Sequence, residues 1–227
     1  MFELKAFRAI DNLDLCEQFA AGHAKVLLDY GVTKVTSSST SWFFNPAVYV
    51  IIAKQKITGE IVGGVRLHIA DGITPLPLED AISIVDERVF DLVKQHRSGR
   101  TAELCGLWNA KSVAGMGVGS YFLMRAGISV TNQLKLTSLF ALCAPHTLKI
   151  SVEKGFEIEK SIGKEGTFVY PKLDLIATSI IIRDPDTLSV ALPEERDLIL
   201  ELRENPSITR KEQGPKGVTE VTYNLNF

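Results

Sequence analysis

The sequence predicts an α/β (α+β) fold, a sheet with helices packed against it, on three observations. Short apolar runs of strand type alternate along the chain with stretches of helical periodicity. Two of the runs flank a Thr58-Gly59 turn in the manner of a hairpin. A glycine-rich turn, Gly115-Met116-Gly117-Val118-Gly119-Ser120, joins the strand-type run at 102–108 to a stretch in which Phe122, Ala126 and Val130 recur every four residues, as on a helix face. The chain has 227 residues, 45% of them hydrophobic, so it can bury a full core as one large domain or one domain with an extension.

Each element has its own signal. Residues 2–10 read as a strand. Asn12 can cap a helix whose apolar stripe is Leu15, Phe19, Val26 and Leu27, ended by Gly31. A polar loop at 37–45 ends in Trp42-Phe43-Phe44, at the core edge or on a substrate lip. Strands at 48–53 and 60–69 form the hairpin, and Thr74-Pro75-Leu76-Pro77 breaks the chain. A helix at about 89–96 leads to the strand that opens at Thr101, and another strand covers 138–144. The next helix has Pro145 near its start and Gly155 just past its end. Residues 156–161 and 168–183 supply the last strands of a main unit, 1–184. The remainder, 185–227, reads as an extension. Pro193-Glu194-Glu195-Arg196 opens a short helix, Gln213-Gly214-Pro215-Lys216-Gly217 turns, and Val221, Tyr223, Leu225 and Phe227 alternate with polar residues as in a half-buried strand. That strand would pair with a sheet of its own subunit or of a partner, which leaves room for a homodimer.

Composition excludes several classes. A net charge of −2 gives no electrostatic drive toward nucleic acid or an anionic membrane. The longest apolar runs, such as 48–53, are too short to span a bilayer, and the first residues, Met1-Phe2-Glu3-Leu4-Lys5, do not read as a secretory signal. Cys16, Cys105 and Cys143 stand far apart, and His23, His68, His96 and His146 show no ligand spacing. The expectation is a cytoplasmic protein without a metal.

A glycine-rich turn entering a helix exposes backbone N–H groups at the positive end of the helix dipole, and this suits pyrophosphate. The alternative is a tight turn where backbone must approach backbone. Neither common nucleotide loop fits: Gly119 is followed by Ser120 and Tyr121 rather than Lys and Ser/Thr, and glycines at 115, 117 and 119 miss the dinucleotide spacing.

Taken over residues 2–184, the order strand, helix, hairpin, helix, strand, glycine turn, helix, strand, helix, strand pair resembles the Gcn5-related N-acetyltransferase (GNAT) superfamily. Its acyl-CoA loop has the form Arg/Gln-x-x-Gly-x-Gly/Ala, which Ala114-Gly115-Met116-Gly117-Val118-Gly119 matches at both glycines. Glu153-Lys154-Gly155-Phe156 resembles the end of the superfamily's last core helix. The resemblance implies a mixed, mostly antiparallel twisted sheet with helices on both faces. It also departs from the pattern: Ala114 stands where Arg or Gln is usual, Ser151 where a thiolate-protonating Tyr is frequent, and Ala144 where an Asn often begins the helix.

The resemblance further implies acyl transfer from acetyl-CoA or another acyl-CoA to a small-molecule primary amine. Such transfer needs a neutral amine, a polarised thioester carbonyl and both reactants held together. The polarising donor would be a backbone N–H among Leu107, Trp108 and Asn109, and the pyrophosphate would lie on Gly115, Met116, Gly117, Val118, Gly119 and Ser120. Ala102-Glu103 resembles the catalytic glutamate segment of histone acetyltransferases. A carboxylate on an apolar strand is desolvated, which raises its pKa toward that of a base working near neutrality. Glu103 is therefore the candidate base, the alternative being a structural pairing with Arg100 or Arg66. Cys105 reads as a small core residue and His146 as a capping or surface one. Arg66 and His68 share a strand face, which is solvated or else holds an acidic substrate group. Gly64-Val65-Arg66-Leu67 also resembles a segment of acyl-homoserine-lactone and N-acyl amino acid synthases, whose donor is often carried on acyl carrier protein. A binding module without chemistry is the third option.

Overall fold

The fold was obtained as a computed structural model, and the structure describes residues 1–32, 39–171 and 175–227. Ser37 and Ser38 of the polar loop lie outside the described residues. Runs such as Val48-Tyr49-Val50-Ile51-Ile52-Ala53 become strands because β-branched and aromatic side chains suit a pleated surface. Here they are apolar on both faces because both faces are covered. Ile51 and Ala53 join one core, whereas Val50 and Ile52 join another on the opposite side.

Among the described residues, ten strands form one sheet. β1 (Phe2–Arg8), β2 (Val48–Gln55), β3 (Ile61–Ile69) and β4 (Thr101–Asn109) run antiparallel to their neighbours in turn. β5 (Ser138–Cys143) lies parallel to β4, and β8 (Ile176–Ile182) pairs with β5, with the short β6 (Glu157–Ile158) and with β7 (Thr167–Val169). The C-terminal hairpin of β9 (Ser207–Gly214) and β10 (Gly217–Asn224) joins the other side, β10 parallel to β1. The order is β6-β8-β5-β4-β3-β2-β1-β10-β9, with β7 on β8.

Helices cover both faces. α1 (Leu13–Asp29), α2 (Pro77–Ile82) and α3 (Arg88–Arg97) lie over two clusters, one around Phe19, Trp42 and Trp108, the other around Leu78, Phe140 and Ile181. α4 (Met124–Ser129), α5 (Pro145–Glu153) and α6 (Pro193–Glu204) cover the opposite face with Leu4, Leu67, Leu104 and Leu139. The Asn12 cap is formed, its Oδ1 accepting from the Leu15 N–H at 3.1 Å. Phe122, Ala126 and Val130 are all fully buried, as their spacing predicts.

Two elements escape the sequence reading. The Pro-rich break at 74–77 ends in α2, because Pro77 occupies a first-turn position that needs no N–H donor and Glu79 Oε2 accepts from the Leu76 N–H at 2.6 Å. β9 carries Thr209, Arg210, Lys211 and Glu212, the charged sequence of an edge strand, and so lacks an apolar alternation. The terminal strand pairs within its own sheet, with Val221, Tyr223 and Leu225 fully buried and Phe227 left exposed.

A buried ion network fastens this C-terminal segment to α4. Arg125 Nη1 donates to Glu212 Oε2 on β9 at 2.6 Å, and its Nε and Nη2 grip Glu195 of α6 at 3.0–3.1 Å. Lys154 Nζ lies 3.2 Å from Glu195, and Tyr223 Oη donates to Glu212 Oε1 at 2.5 Å. Burial opposes the Arg125 charge, but the Glu195 and Glu212 carboxylates outweigh it and raise its pKa. Removing Arg125 takes a shared cation from two buried carboxylates, leaving Glu195 to Lys154 and Glu212 to Arg210 and Tyr223. Arg125→Met should therefore lower stability toward the lower end of about 3–5 kcal/mol in urea denaturation, and a loss below ~1 kcal/mol would show that the network is not needed to hold the hairpin.

Candidate active site

The cleft is set by where two parallel strands stop pairing. β4 meets β5 only through Thr101, Ala102 and Glu103, opposite Ser138, Leu139 and Phe140. Beyond that point β4 continues to Asn109 along β3, while β5 continues to Cys143 along β8. A gap therefore opens between residues 104–109 and 141–143. The Ala110 N–H bonds to Val62 O of β3 at 2.8 Å, so pleat alternation turns the Asn109 N–H the other way, toward the gap.

A bulge re-aims β4 at the same place. Gly106 and Leu107 together stand opposite Val65, with Gly106 at φ +58°, a conformation that a Cβ would strain. The extra residue resets which face each side chain takes. Trp108 thus points to α1 along with Cys105 and Glu103, and Leu107 packs into the opposite core. Of the predicted Leu107, Trp108 and Asn109, Trp108 buries its side chain and turns its backbone to β3, Leu107 half-buries its side chain against the opposite core, and Asn109 turns its N–H to the gap.

At the mouth of the gap lies the glycine turn. Gly115 and Gly117 adopt φ +83° and +91°, and Gly117 O accepts from both the Tyr121 and Phe122 N–H groups, so the helix opens with a π turn over Val118–Leu123 that runs on into α4. Val118, Gly119 and Ser120 are its first residues, whose N–H groups have no preceding turn to donate to. Met116 differs: its N–H is used within the turn by Val113 O at 3.1 Å. The side chains of Met116 and Val118 belong to the core. A Cβ at Gly119 would collide with Asn109 Oδ1, which fixes the loop against the end of β4. A Gly117→Val substitution would disturb the fold as well as the turn, because φ +91° opposes a side chain and the new Cβ would stand 2.7 Å from Phe122 Cζ.

The C-terminal hairpin closes over this loop. Its tip donates from Lys216 N to Gly115 O at 2.9 Å, and Lys216 Nζ donates to Ala114 O at 2.8 Å. More than 90 residues separate these segments in the chain, so no local pattern announces the meeting.

The opposite face of β3 and β4 is polar but dry. Arg66, His68, Glu103 and Cys105 share it, and all are buried, which overturns the expectation of a solvated face for Arg66 and His68. The reason is tertiary. α1 and the Ser41–Phe44 turn lie across it, with Trp42 stacked 4.3 Å and Phe19 5.7 Å from the Arg66 guanidinium. Burial holds His68 well below its ordinary pKa, and burial with the Arg66 charge lowers His23 to about 4, so both imidazoles stay neutral.

Glu103 is 3% exposed, and its Oε2 accepts from the Leu78 N–H at the start of α2 at 2.7 Å. Burial pushes its pKa up to about 8, against the opposing pull of the Leu78 N–H and Arg66. Cys105 is pushed up to about 12, mainly by burial, and is inert as a thiolate at neutral pH. Ser151 is fully buried, with Oγ 3.0 Å from Thr147 O, so it has no access to a leaving group. His146 is exposed. No group of three or more His, Cys, Asp or Glu that could hold a metal ion, and no helix long and apolar enough to cross a membrane, occurs among the described residues.

No protein-family model matches the chain, and no curated protein matches its sequence. Solved structures do match. FeeM, an N-acyl amino acid synthase from uncultured soil microbes, superposes with a TM-score of 0.62 at 13% identity, over 85% of this chain and 96% of its own. MesI, a CoA-dependent acyl-homoserine lactone synthase, gives 0.55 at 14% identity, over 90% and 95%. An acyl-CoA N-acyltransferase from Pseudomonas aeruginosa gives 0.55 at 12% identity, over 80% and 99%. The fold is that of the Gcn5-related N-acetyltransferases. In this GNAT fold Glu103 stands in the paired first part of β4, the gap opens after it, and the glycine turn follows the far end of the strand.

Because the folded state keeps on Glu103 a proton that the unfolded chain releases near its ordinary pKa of 4.5, unfolding sheds protons between pH 4.5 and about 8. Stability contributed by this group is present below that window and is lost as pH rises through it. Relative to wild type, Glu103→Gln should gain stability as pH rises from 4.5 to about 8. Parallel pH profiles of the two unfolding free energies would show instead that Glu103 is ionised in the fold.

Proposed function

We propose that this protein is an N-acyltransferase that moves an acetyl or longer acyl group from acyl-CoA to a primary amine of a small molecule, by direct attack on the thioester. One observation carries the reading: the parted β4 and β5 strands leave backbone amides facing a gap whose mouth is a helix N-terminus on a glycine turn. A thioester carbonyl in the gap would accept from the Asn109 N–H, while the first helical amides meet the pyrophosphate. What further supports it is the likeness to acyl-transferring folds and a carboxyl group tuned to about 8 beside the cleft.

In this reading Glu103 takes the amine proton, directly or through a water, as nitrogen attacks the carbonyl carbon. Collapse of the tetrahedral intermediate breaks the carbon–sulfur bond and releases CoA thiolate. A thiol of pKa about 8.5 leaves without a strong acid, so the absence of a tyrosine at Ser151 is tolerable. Arg66, enclosed by Trp42 and Phe19 on the same face as Glu103, would lend that face a positive potential. A second reading, transfer from acyl carrier protein onto an amino acid-like amine, is favoured by the FeeM likeness and by Gly64-Val65-Arg66-Leu67. The three free cysteines, all buried, suit a reducing cytoplasm.

Thermal-shift titration with CoA, acetyl-CoA, long-chain acyl-CoA and acyl carrier protein tests the donor. CoA at 100 times its Kd should stabilise the fold by about 2.7 kcal/mol, and no shift with any donor would defeat the proposal. With the donor known, Glu103→Gln should lower kcat by roughly 10²- to 10⁴-fold with little change in donor affinity. Wild-type activity should rise with pH up to about 8, and the mutant should lack that limb. Normal turnover by the mutant would make Glu103 structural.

A further inference from the structure

A diphosphate carries at least two negative charges, and the turn that would hold it, Ala114-Gly115-Met116-Gly117-Val118-Gly119-Ser120, has no charged side chain. Backbone amides and the helix dipole hold an anion, and a cationic side chain adds a stronger, charge-assisted contact. Of the lysines near the turn in sequence, Lys111 is held by Asp29 of α1 at 3.2 Å. The hairpin brings another. Lys216 is the residue of the tip that reaches the loop twice, from its N–H to Gly115 O and from Nζ to Ala114 O. Its stem lies so close over Gly115 that a Cβ there would come within 2.6 Å of Cε. Nζ is bonded only to a neutral carbonyl and stays exposed, so its charge is uncompensated and free to swing to an anion. The tip cannot drift away, because Gly214 packs against the Met116–Gly117 peptide and Glu212, two residues before it, is tied to Arg125 of the very helix that the loop opens.

We propose that Lys216, on the β9–β10 hairpin tip, supplies the cation of the donor pyrophosphate site, so that the C-terminal extension is part of the donor site rather than an addition to it. The inference rests on the acyl-CoA reading above. It gives the hairpin a chemical role, in which an ammonium from the edge of the sheet meets amides that follow its inner strand β4 and the two grip one diphosphate.

The test is calorimetric titration of wild type, Lys216→Met and Lys216→Arg with three probes: CoA, dephospho-CoA and pantetheine. Circular dichroism and melting establish that each variant is folded. Loss of one charge-assisted contact should weaken CoA and dephospho-CoA binding by about tenfold in Lys216→Met. Lys216→Arg should bind nearly as wild type, and pantetheine, which has no phosphate, should bind all three alike. The affinity of wild type should also fall more steeply with salt than that of Lys216→Met. Equal CoA affinity in wild type and Lys216→Met overturns the role of Lys216 while leaving the donor reading intact. A loss seen with CoA but not with dephospho-CoA overturns it too, since the cation would then serve the 3′-phosphate. If wild type binds no CoA at all, the donor reading itself falls and takes this inference with it.

Discussion

Two parallel strands that pair over three residues and then separate create the constraint on which the molecule turns. Once β4 leaves β5 after Glu103, its far half has a partner on one side only, β3, and its remaining amides must meet water or a ligand. Widening the gap further would cost sheet hydrogen bonds, and closing it would remove the opening between the two halves of the sheet. The bulge at Gly106 belongs to the same event. It lets β4 keep its ladder with β3 while its direction and side-chain parity change, and it sends Trp108 under α1. A residue other than glycine at φ +58° would oppose the bulge, and without it the indole would point into the opposite core.

The two faces of the sheet then acquire different physics. On the α4 face the filling is mostly aliphatic, and its charges are gathered into one network, Arg125, Lys154, Arg210, Glu195 and Glu212, in which each cation meets a carboxylate. On the α1 face, charge is held against aromatic rings and beside a carboxyl group that burial keeps protonated to about pH 8. The first arrangement is electrostatically settled and holds elements together. The second is less settled, because burial opposes ionisation of Glu103 and a change in solvation would alter its protonation. Two different arrangements of buried charge thus occupy opposite sides of one sheet.

The terminal hairpin couples these parts. It extends the sheet beyond β1, where the chain would otherwise end in an open apolar edge, and it bears Glu212, which anchors α4, and Lys216, which rests on the glycine turn. The helix whose N-terminus faces the cleft is therefore braced at one end by the turn and along its length by the extension. Rigidity at that helix start keeps its amides aimed together, which is what anion binding by backbone requires.

Much of this was legible in the residues themselves. Continuous β-branched runs specify two-sided strands, the Asn12 cap and the four-residue spacing of Phe122, Ala126 and Val130 specify helices, and glycines at 115, 117 and 119 specify a turn that brings backbone close to something. These are local properties, written in propensity and period. The sequence also located the carboxyl group on an apolar strand, since desolvation of Glu103 follows from its neighbours. What only the tertiary structure decided is how far strands pair and what covers them. A polar pair such as Arg66 and His68 reads as solvated until α1 and Trp42 are laid across it, and a charged strand such as β9 has no pattern until β10 is beside it. Lys216 is an ordinary turn lysine by sequence, and only the folding of the C-terminal hairpin back onto the glycine loop gives its charge a neighbour. Contacts between distant segments depend on register and packing, which no window of sequence contains.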